Sequence, residues 1–268
     1  MVWGRNGDFM KKFATVLSGL ATSVALAGDP APAAKPALGD LKLDFGAEAS
    51  LYNFKGNGGS ILAVVPELEV HGLAQGLVLF AELPVYGDDN LTNTTGLGDL
   101  RLGASVRVVQ EATEFGAAWL DVNAGAEIPT AGGELGSANV NPFVGFAFGL
   151  DEVAKSDFDF TQTFEYKFVG GPAFNPYLGG QTDADIIFMR TDLSVPVWGD
   201  ALVGAVTVKQ NYTVDPGEQQ LFVGPSVVWK PTAATTVDFG VDLPVWQDLQ
   251  SFRPENNCVV SGGLTINF

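Results

Sequence analysis

Cysteine and histidine are almost absent from this sequence, which has one residue of each, Cys258 and His71. A lone cysteine cannot form an internal disulfide, so a small disulfide-stapled fold is excluded. Metal centres and nucleophilic triads are built from several histidine, cysteine or carboxylate side chains. A chain with one histidine and one cysteine is a poor candidate for either kind of site. No Gly-x-Ser-x-Gly motif, phosphate-binding loop or dinucleotide fingerprint is present. We therefore predict no enzyme activity, no metal site and no cofactor.

Basic residues and long apolar runs are also scarce. The 14 Lys and Arg residues are outnumbered by 31 Asp and Glu, giving a formal charge of -17. Nucleic-acid-binding surfaces are basic, so we predict no nucleic-acid partner. Beyond residue 27 no run reaches the about eighteen apolar residues of a membrane-spanning helix. Because 46% of the residues are hydrophobic, the apolar content must be dispersed along the chain.

The first 27 residues have the pattern of a secretory signal peptide. Lys11 and Lys12 precede an apolar run, Phe13–Leu26, and cleavage after Ala27 would follow small residues. A basic region, a short apolar region and a small-residue cleavage site are the parts of an export signal. The predicted organisation is a signal peptide at 1–27, a Pro/Ala-rich leader at 28–40 and a structured domain at 41–268.

From Leu41 onwards, apolar residues alternate with polar ones. In the first segment Leu43 and Phe45 alternate with Asp44 and Glu48. A period of two is typical of strands with one apolar and one polar face. About twelve such segments can be counted, an even number as in single-chain bacterial barrels. We predict an all-β fold, a transmembrane antiparallel up-and-down β-barrel of about 12 strands.

The links between the predicted strands alternate in length. Links such as 87–96 and 169–183 are long, whereas links such as 72–75 and 198–200 are short. Outer-membrane barrels have long extracellular loops and short periplasmic turns. A soluble β-sandwich is the alternative fold, but aromatic residues placed towards the short links resemble a membrane girdle and favour the barrel. The predicted girdle consists of Phe115, Trp119, Phe146, Phe148, Phe158, Phe160, Trp198 and Trp229.

The polar strand faces would line the lumen and set its selectivity. The predicted pore-lining residues are Glu67, Glu69, Glu82, Asp99, Arg101, Arg107, Asp121, Glu165, Lys167, Arg190, Asp192, Lys209 and Asp242. Their excess of acids predicts cation preference in an open lumen; the alternative is a plugged interior in which the charges pair. Since barrels of this size are narrower than porins, we expect a pore partly obstructed by residues 28–40 or by loop 169–183, with His71 as a solvated rim residue.

Three stretches resemble known outer-membrane proteins. Gly262–Phe268 resembles the terminal strand that the barrel-assembly machinery recognises, which implies this role for Leu264, Ile266 and Phe268. Gly96–Gly103 resembles the Gly-x-Gly-Asp strand opening of the MetA-pathway of phenol degradation family of outer-membrane transporters. The stretch from Val223-Gly224-Pro225-Ser226 to Asp242-Leu243-Pro244-Val245-Trp246 resembles the closing hairpin of the same family. This resemblance implies transport of small hydrophobic or aromatic compounds.

Together these features predict an outer-membrane channel or transporter for passive passage of small solutes in a Gram-negative bacterium. One alternative is a non-transporting barrel that acts as an anchor or scaffold through its extracellular loops, and a third is a lipid-modifying enzyme of the outer membrane. The expected partners are the lipid bilayer, periplasmic chaperones, the barrel-assembly machinery and a small-molecule solute.

Overall fold

A computed structural model describes residues 41–56, 58–89, 95–113, 116–130, 135–153 and 157–268. The predicted signal peptide and leader, and Phe115, lie outside these residues. Within them, no helix has the length and apolar character needed to cross a membrane. The strands are β1 Lys42–Phe54, β2 Ser60–His71, β3 Leu77–Glu82, β4 Val85–Asp88, β5 Thr95–Leu97, β6 Leu100–Thr113, β7 Gly116–Ile128, β8 Asn141–Asp151, β9 Asp159–Lys167, β10 Ala173–Asn175, β11 Gly180–Thr182, β12 Ile186–Trp198, β13 Leu202–Thr213, β14 Gln219–Thr232, β15 Thr235–Asp248 and β16 Asn256–Asn267.

Fourteen of these strands form one closed antiparallel sheet. Because β3 continues into β4 and β5 continues into β6, the described residues make a barrel wall of 12 strands. The wall closes where β1 pairs with β2 on one side and with β16 on the other, for example Leu51 with Leu62 and with Val260. The remaining strands, β10 and β11, form a small separate hairpin. The predicted fold class is confirmed.

Two wall strands are interrupted. The break between β3 and β4 falls at Leu83-Pro84, within a segment predicted as one strand, and the neighbouring break between β5 and β6 falls at Gly98-Asp99, where β5 overlaps the predicted link 87–96. Proline has no N–H to give to a sheet ladder. The backbone N–H of Gly98 donates to the carbonyl of Pro84 at 2.7 Å, and that of Leu83 donates to Pro66 at 3.1 Å. The two breaks therefore lie side by side and remain hydrogen-bonded.

The two ends of the barrel differ, as the link lengths predicted. The link 168–185 and the link 249–255 lie at one end, which we call the long-loop end. Short turns such as 199–201 and 233–234 lie at the other, the short-turn end. In outer-membrane barrels these ends face the extracellular space and the periplasm respectively.

The outer face of the wall is apolar. Large hydrophobic side chains such as Val206, Phe239 and Leu243 are 47%, 49% and 52% exposed. A water-soluble protein rarely exposes a continuous apolar band of this kind, whereas a bilayer requires one.

The prediction for Trp119 was wrong: its Nε1 donates to Asp151 Oδ1 at 3.1 Å and its side chain is buried. By strand alternation it shares the inner face with Asp121, so it is not part of a lipid-facing girdle.

Candidate functional site in the barrel lumen

One group of charged side chains in the lumen is centred on Arg101 of β6. Its Nη1 lies 3.3 Å from Glu82 Oε2 on β3, and its Nη2 contacts Glu165 on β9. On the same side, Lys167 Nζ of β9 lies 2.9 Å from Glu127 Oε1 of β7. Because β6 and β9 are not neighbours in the wall, their side chains can meet only through the inside of the barrel. We call these five residues the Arg101 cluster.

Two aromatic rings pack under the Arg101 guanidinium. Its Cζ lies 4.2 Å from the ring centre of Phe143 and 5.6 Å from that of Phe80, distances at which a cation is attracted by the ring face. Each ring lies over a glycine on the neighbouring strand: a Cβ on Gly103 would be 2.3 Å from Phe80, and one on Gly125 would be 2.5 Å from Phe143. Sequence analysis missed both rings, although a glycine opposite a phenylalanine could have indicated them.

A second group of charges lies on strands β1, β12, β13 and β15. Arg190 Nε is 2.7 Å from Asp192 Oδ2, and Lys209 Nζ is 2.7 Å from Asp242 Oδ2. Glu48 accepts a hydrogen bond from Ser50 Oγ at 2.6 Å and interacts electrostatically with Arg190 and Lys209. We call Glu48, Arg190, Asp192, Lys209 and Asp242 the Arg190 cluster.

A further set of charged residues lies towards the short-turn end. Arg107 Nε is 2.8 Å from Asp121 Oδ1. On β1 and β2, His71 Nε2 is 3.0 Å from Asp44 Oδ2 and 3.1 Å from Glu69 Oε2. His71 lies at the short-turn end of β2, as expected of a rim residue; its side chain is only 27% exposed and lies between two carboxylates.

The remaining predicted pore-lining residues are Glu67 and Asp99. Glu67 lies opposite Glu82 across the β2–β3 ladder. Asp99 lies outside the strands, and its carboxylate accepts hydrogen bonds from the backbone N–H groups of Ser137 at 2.7 Å and Thr130 at 3.4 Å. Asp99 thus fixes the loop that follows β7.

Residues 168–185, which we call the inner loop, reach into the long-loop end of the lumen. It leaves β9, forms the β10–β11 hairpin with a 3-10 turn at Pro176–Leu178, and returns to β12. The carbonyl of Tyr177 accepts hydrogen bonds from Gln220 Nε2 of β14 at 3.0 Å and Asn256 Nδ2 of β16 at 2.7 Å. Counted around the wall, β14 is three strands from β9 and β16 is five, so the tip of the loop reaches strands that do not flank it and folds inward. This position agrees with the expected partial obstruction by loop 169–183, whereas residues 28–40 lie outside the described residues.

An apolar layer surrounds the tip of the inner loop. The Tyr177 ring lies 5.0 Å from Tyr52 and 5.6 Å from Phe222, measured between ring centres. Burial raises the pKa of the Tyr177 phenol. The layer consists of Tyr52, Phe54, Ile61, Ala63, Phe222 and Val259, with Tyr86, Phe174 and Tyr177 packed against it. Asn175-Pro176 indicates a turn by sequence, but nothing local shows that the turn points inward.

The terminal strand β16 presents apolar side chains to the outside. Leu264 pairs with Ala47 and Val237 on its two sides, and Ile266 is half-buried on the same face. Phe268 is 76% exposed, and its backbone N–H donates to the carbonyl of Leu43 at 2.9 Å. The role of this strand in assembly stays a prediction.

No protein-family model and no curated protein match the chain. Among solved structures, it is similar to a COG4313 outer membrane channel from Pseudomonas putida F1, with a TM-score of 0.63 and 13% identity over 90% of this chain and 100% of that one. It is also similar to the NanC porin, with a TM-score of 0.56 and 10% identity over 82% of this chain and 98% of that one. The resemblance to the MetA-pathway of phenol degradation family stays a prediction. The chain has the barrel fold of the outer-membrane channels of Gram-negative bacteria.

Proposed function

We propose that this barrel is a channel for passive passage of small solutes, with the inner loop as its constriction. The observation that carries the proposal is how the inner loop is held in the lumen. The tip of the inner loop is held by two hydrogen bonds to the Tyr177 carbonyl and by aromatic packing. Its flanks are held by hydrogen bonds from Gln181 Nε2 to the carbonyl of Gly136 and from Asn139 Nδ2 to that of Gly170, while the pairing of the wall strands does not include the loop. The inner loop can therefore move without breaking a strand pair of the barrel wall.

The charged lumen supports the same function. Its basic side chains Arg101, Arg107, Lys167, Arg190 and Lys209 are paired and still 12% to 29% exposed. Replacing buried ion pairs by apolar side chains is often neutral or stabilising, so stability alone does not require them. Lumen charges are what membrane barrels use for selectivity. Counting acids against bases, three to two in the Arg101 cluster and three to two in the Arg190 cluster, we infer a cation-preferring path.

The apolar layer at the long-loop end indicates which class of solute could pass. A molecule entering there meets Tyr52, Phe54 and the inner-loop aromatics. In the strand ladders Phe222 lies opposite Lys209 and Val259 lies opposite Asp242, so the apolar layer adjoins the Arg190 cluster. Aromatic side chains combine apolar surface with polar edges and bind flat apolar groups well. We infer passage of small solutes that include hydrophobic or aromatic compounds.

The decisive test is single-channel conductance of the protein purified from outer membranes and inserted in a planar bilayer. The comparison variant has residues 170–183 replaced by a short Gly-Asn-Gly linker. We expect larger conductance steps from the shortened barrel than from the unchanged protein, with cation preference in a salt gradient. A shortened barrel that is inserted, as judged by its heat-modifiable migration on a gel, and yet stays silent would overturn the proposal.

Two single substitutions test whether contacts of the inner loop control opening of the channel. Gln220→Leu removes one hydrogen bond to the inner loop while keeping side-chain volume, and should raise the frequency of opening. Gln162→Leu is the matched control: Gln162 lies on β9 and bonds to backbone carbonyls of Thr163 and Arg190, away from the inner loop. Equal behaviour of the two variants would show that the loop contact does not gate the channel.

The packing of the inner loop against the inside of the wall also favours a second candidate, a barrel that serves as an anchor or scaffold. In that case the inner loop is a permanent part of the core. Shortening it should then lower stability without opening a path. The conductance comparison separates the two functions, because only a channel gains current when the loop is removed.

A further inference from the structure

We propose that Asp44, Glu69 and His71 form a binding site for a divalent transition-metal ion at the short-turn mouth of the lumen. This inference goes beyond the proposed channel function and does not depend on it. One ligand atom from each residue lies within 4.8 Å of the other two, and among the described residues this is the one group of three such side chains so placed. Sequence analysis predicted no metal site because only one histidine is available; the strand register supplies the other two ligands.

Rigid strands position the three side chains. Asp44 of β1 lies directly opposite Glu69 of β2, and Lys42 lies opposite His71 in the same ladder. Residues two apart on a strand share a face, so His71 and Glu69 point the same way, towards Asp44. Sites built on strands are held more firmly than sites on loops, and this one needs no rearrangement of the backbone.

The distances fit metal coordination. His71 Nε2 lies 3.0 Å from Asp44 Oδ2 and 3.1 Å from Glu69 Oε2. Around a tetrahedral zinc ion, ligand atoms about 2.1 Å from the metal are about 3.4 Å apart. Lengthening the two His71 contacts by a few tenths of an ångström would therefore match this spacing. In its absence one Nε2 atom faces two carboxylates, and a single N–H cannot point well at both.

The donor set selects the class of ion. One imidazole nitrogen with two carboxylate oxygens suits Zn²⁺ and related transition metals, whereas Ca²⁺ and Mg²⁺ prefer oxygen ligands alone. Two carboxylates also balance the charge of a divalent cation. The side chains of Asp44, Glu69 and His71 are 22%, 15% and 27% exposed, so an ion can reach them from the lumen and retain a water molecule as a fourth ligand.

The test is isothermal titration of Zn²⁺ into the detergent-solubilised, chelator-treated full-length barrel. We expect one ion per chain, with affinity lowered at least about tenfold in His71→Gln and in Glu69→Gln. His71→Gln keeps a side-chain N–H that can bond to the carboxylates but is a poor metal ligand. Asp151→Asn is the matched control, since Asp151 lies at the same end and accepts a hydrogen bond from Trp119, and it should bind as the unchanged barrel does.

Three other outcomes would contradict the proposed metal site. Absence of zinc binding to the unchanged barrel would make the group an ion pair only. Zinc binding that persists in His71→Gln would place the ion elsewhere. Calcium binding equal to zinc binding, and insensitive to His71→Gln, would leave a carboxylate site without the histidine. Heat-modifiable migration of every variant verifies that the barrel is folded.

Discussion

The guanidinium of Arg101 contacts the carboxylate of Glu165 across the inside of the barrel, past the two strands β7 and β8 that separate them in the wall. The same guanidinium reaches Glu82 on the other side. One side chain thus ties three strands together. Removing its charge would leave two carboxylates facing each other without compensation.

The Arg101→Gln variant should be strongly destabilised. Breaking a largely buried ion pair by removing one partner costs about 3–5 kcal/mol in free energy of unfolding. The control is Lys55→Gln, since the Lys55–Glu255 pair is more than half exposed, and an exposed pair contributes at most about 1 kcal/mol. Urea unfolding of both variants in lipid vesicles measures the difference. Equal losses would contradict the role of Arg101 as a link between strands.

Gly179→Ala should loosen the inner loop. Gly179 has a φ of 64°, and an added Cβ would lie 2.9 Å from Pro254 Cγ and 3.1 Å from Phe54 Cζ. Both the backbone conformation and the contacts oppose a side chain. In a planar bilayer we expect more frequent openings. Gly199→Ala is the control, because its φ is 49° but nothing lies within 4 Å of the added Cβ; if Gly199→Ala opened the channel as often, loop packing would not be the cause.

Glu48→Gln should weaken cation preference. Glu48 is the one acid of the Arg190 cluster without a direct ion pair in the described residues, so its charge is compensated less closely than those of Asp192 and Asp242. Removing it should shift the reversal potential in a potassium chloride gradient towards zero. Glu111→Gln, an exposed residue of β6, should shift it less. A larger shift from Glu111 than from Glu48 would place the selectivity at the rim.

Val206→Arg should destabilise the barrel in the membrane. Val206 is 47% exposed on the outer face and lies near the middle of β13. An arginine facing lipid at mid-membrane costs about 2–4 kcal/mol, falling to about 0–1 kcal/mol near the interface. Val245→Arg, near the long-loop end of β15, supplies the interfacial comparison. Equal unfolding free energies for the two variants would contradict the proposed lipid-facing band.

Phe268→Ser should slow assembly more than it lowers stability. The ring is 76% exposed and only the backbone N–H is bonded to the wall, so the folded barrel loses little packing. We expect less folded protein in the outer membrane during a pulse-chase measurement, with the urea midpoint almost unchanged. Asn267→Ser, at the neighbouring exposed position, is the control, and a matching delay there would argue against recognition of the terminal aromatic.

The strands could be predicted from the sequence because the alternation of side chains is a local property. Leu43, Asp44 and Phe45 define the inner and outer faces without knowledge of any neighbour. The break at Leu83-Pro84 was missed because a proline at a strand end and one between two strand pieces look alike in sequence. The short strand β5 was missed because most of its residues were assigned to the link 87–96. Trp119 was assigned to the girdle by residue type, although its position in the alternation places it on the inner face.

The arrangement inside the lumen could be predicted only in part. The sequence identified Arg101, Glu82 and Glu165 as inward-facing candidates, but their mutual contact depends on the register of strands far apart in the chain. The same holds for the two hydrogen bonds to the Tyr177 carbonyl. A loop conformation set by distant residues leaves no periodic signal, so its direction and its partners required the structure.

The closure of the wall by β1 and β16 determines the order of events in biogenesis. Leu51 pairs with Val260, so the edge of β1 is covered only once β16 is present. Contacts so distant in sequence form slowly, and an exposed strand edge invites aggregation in the meantime. Removal of β16 would leave an open edge on β1 and another on β15.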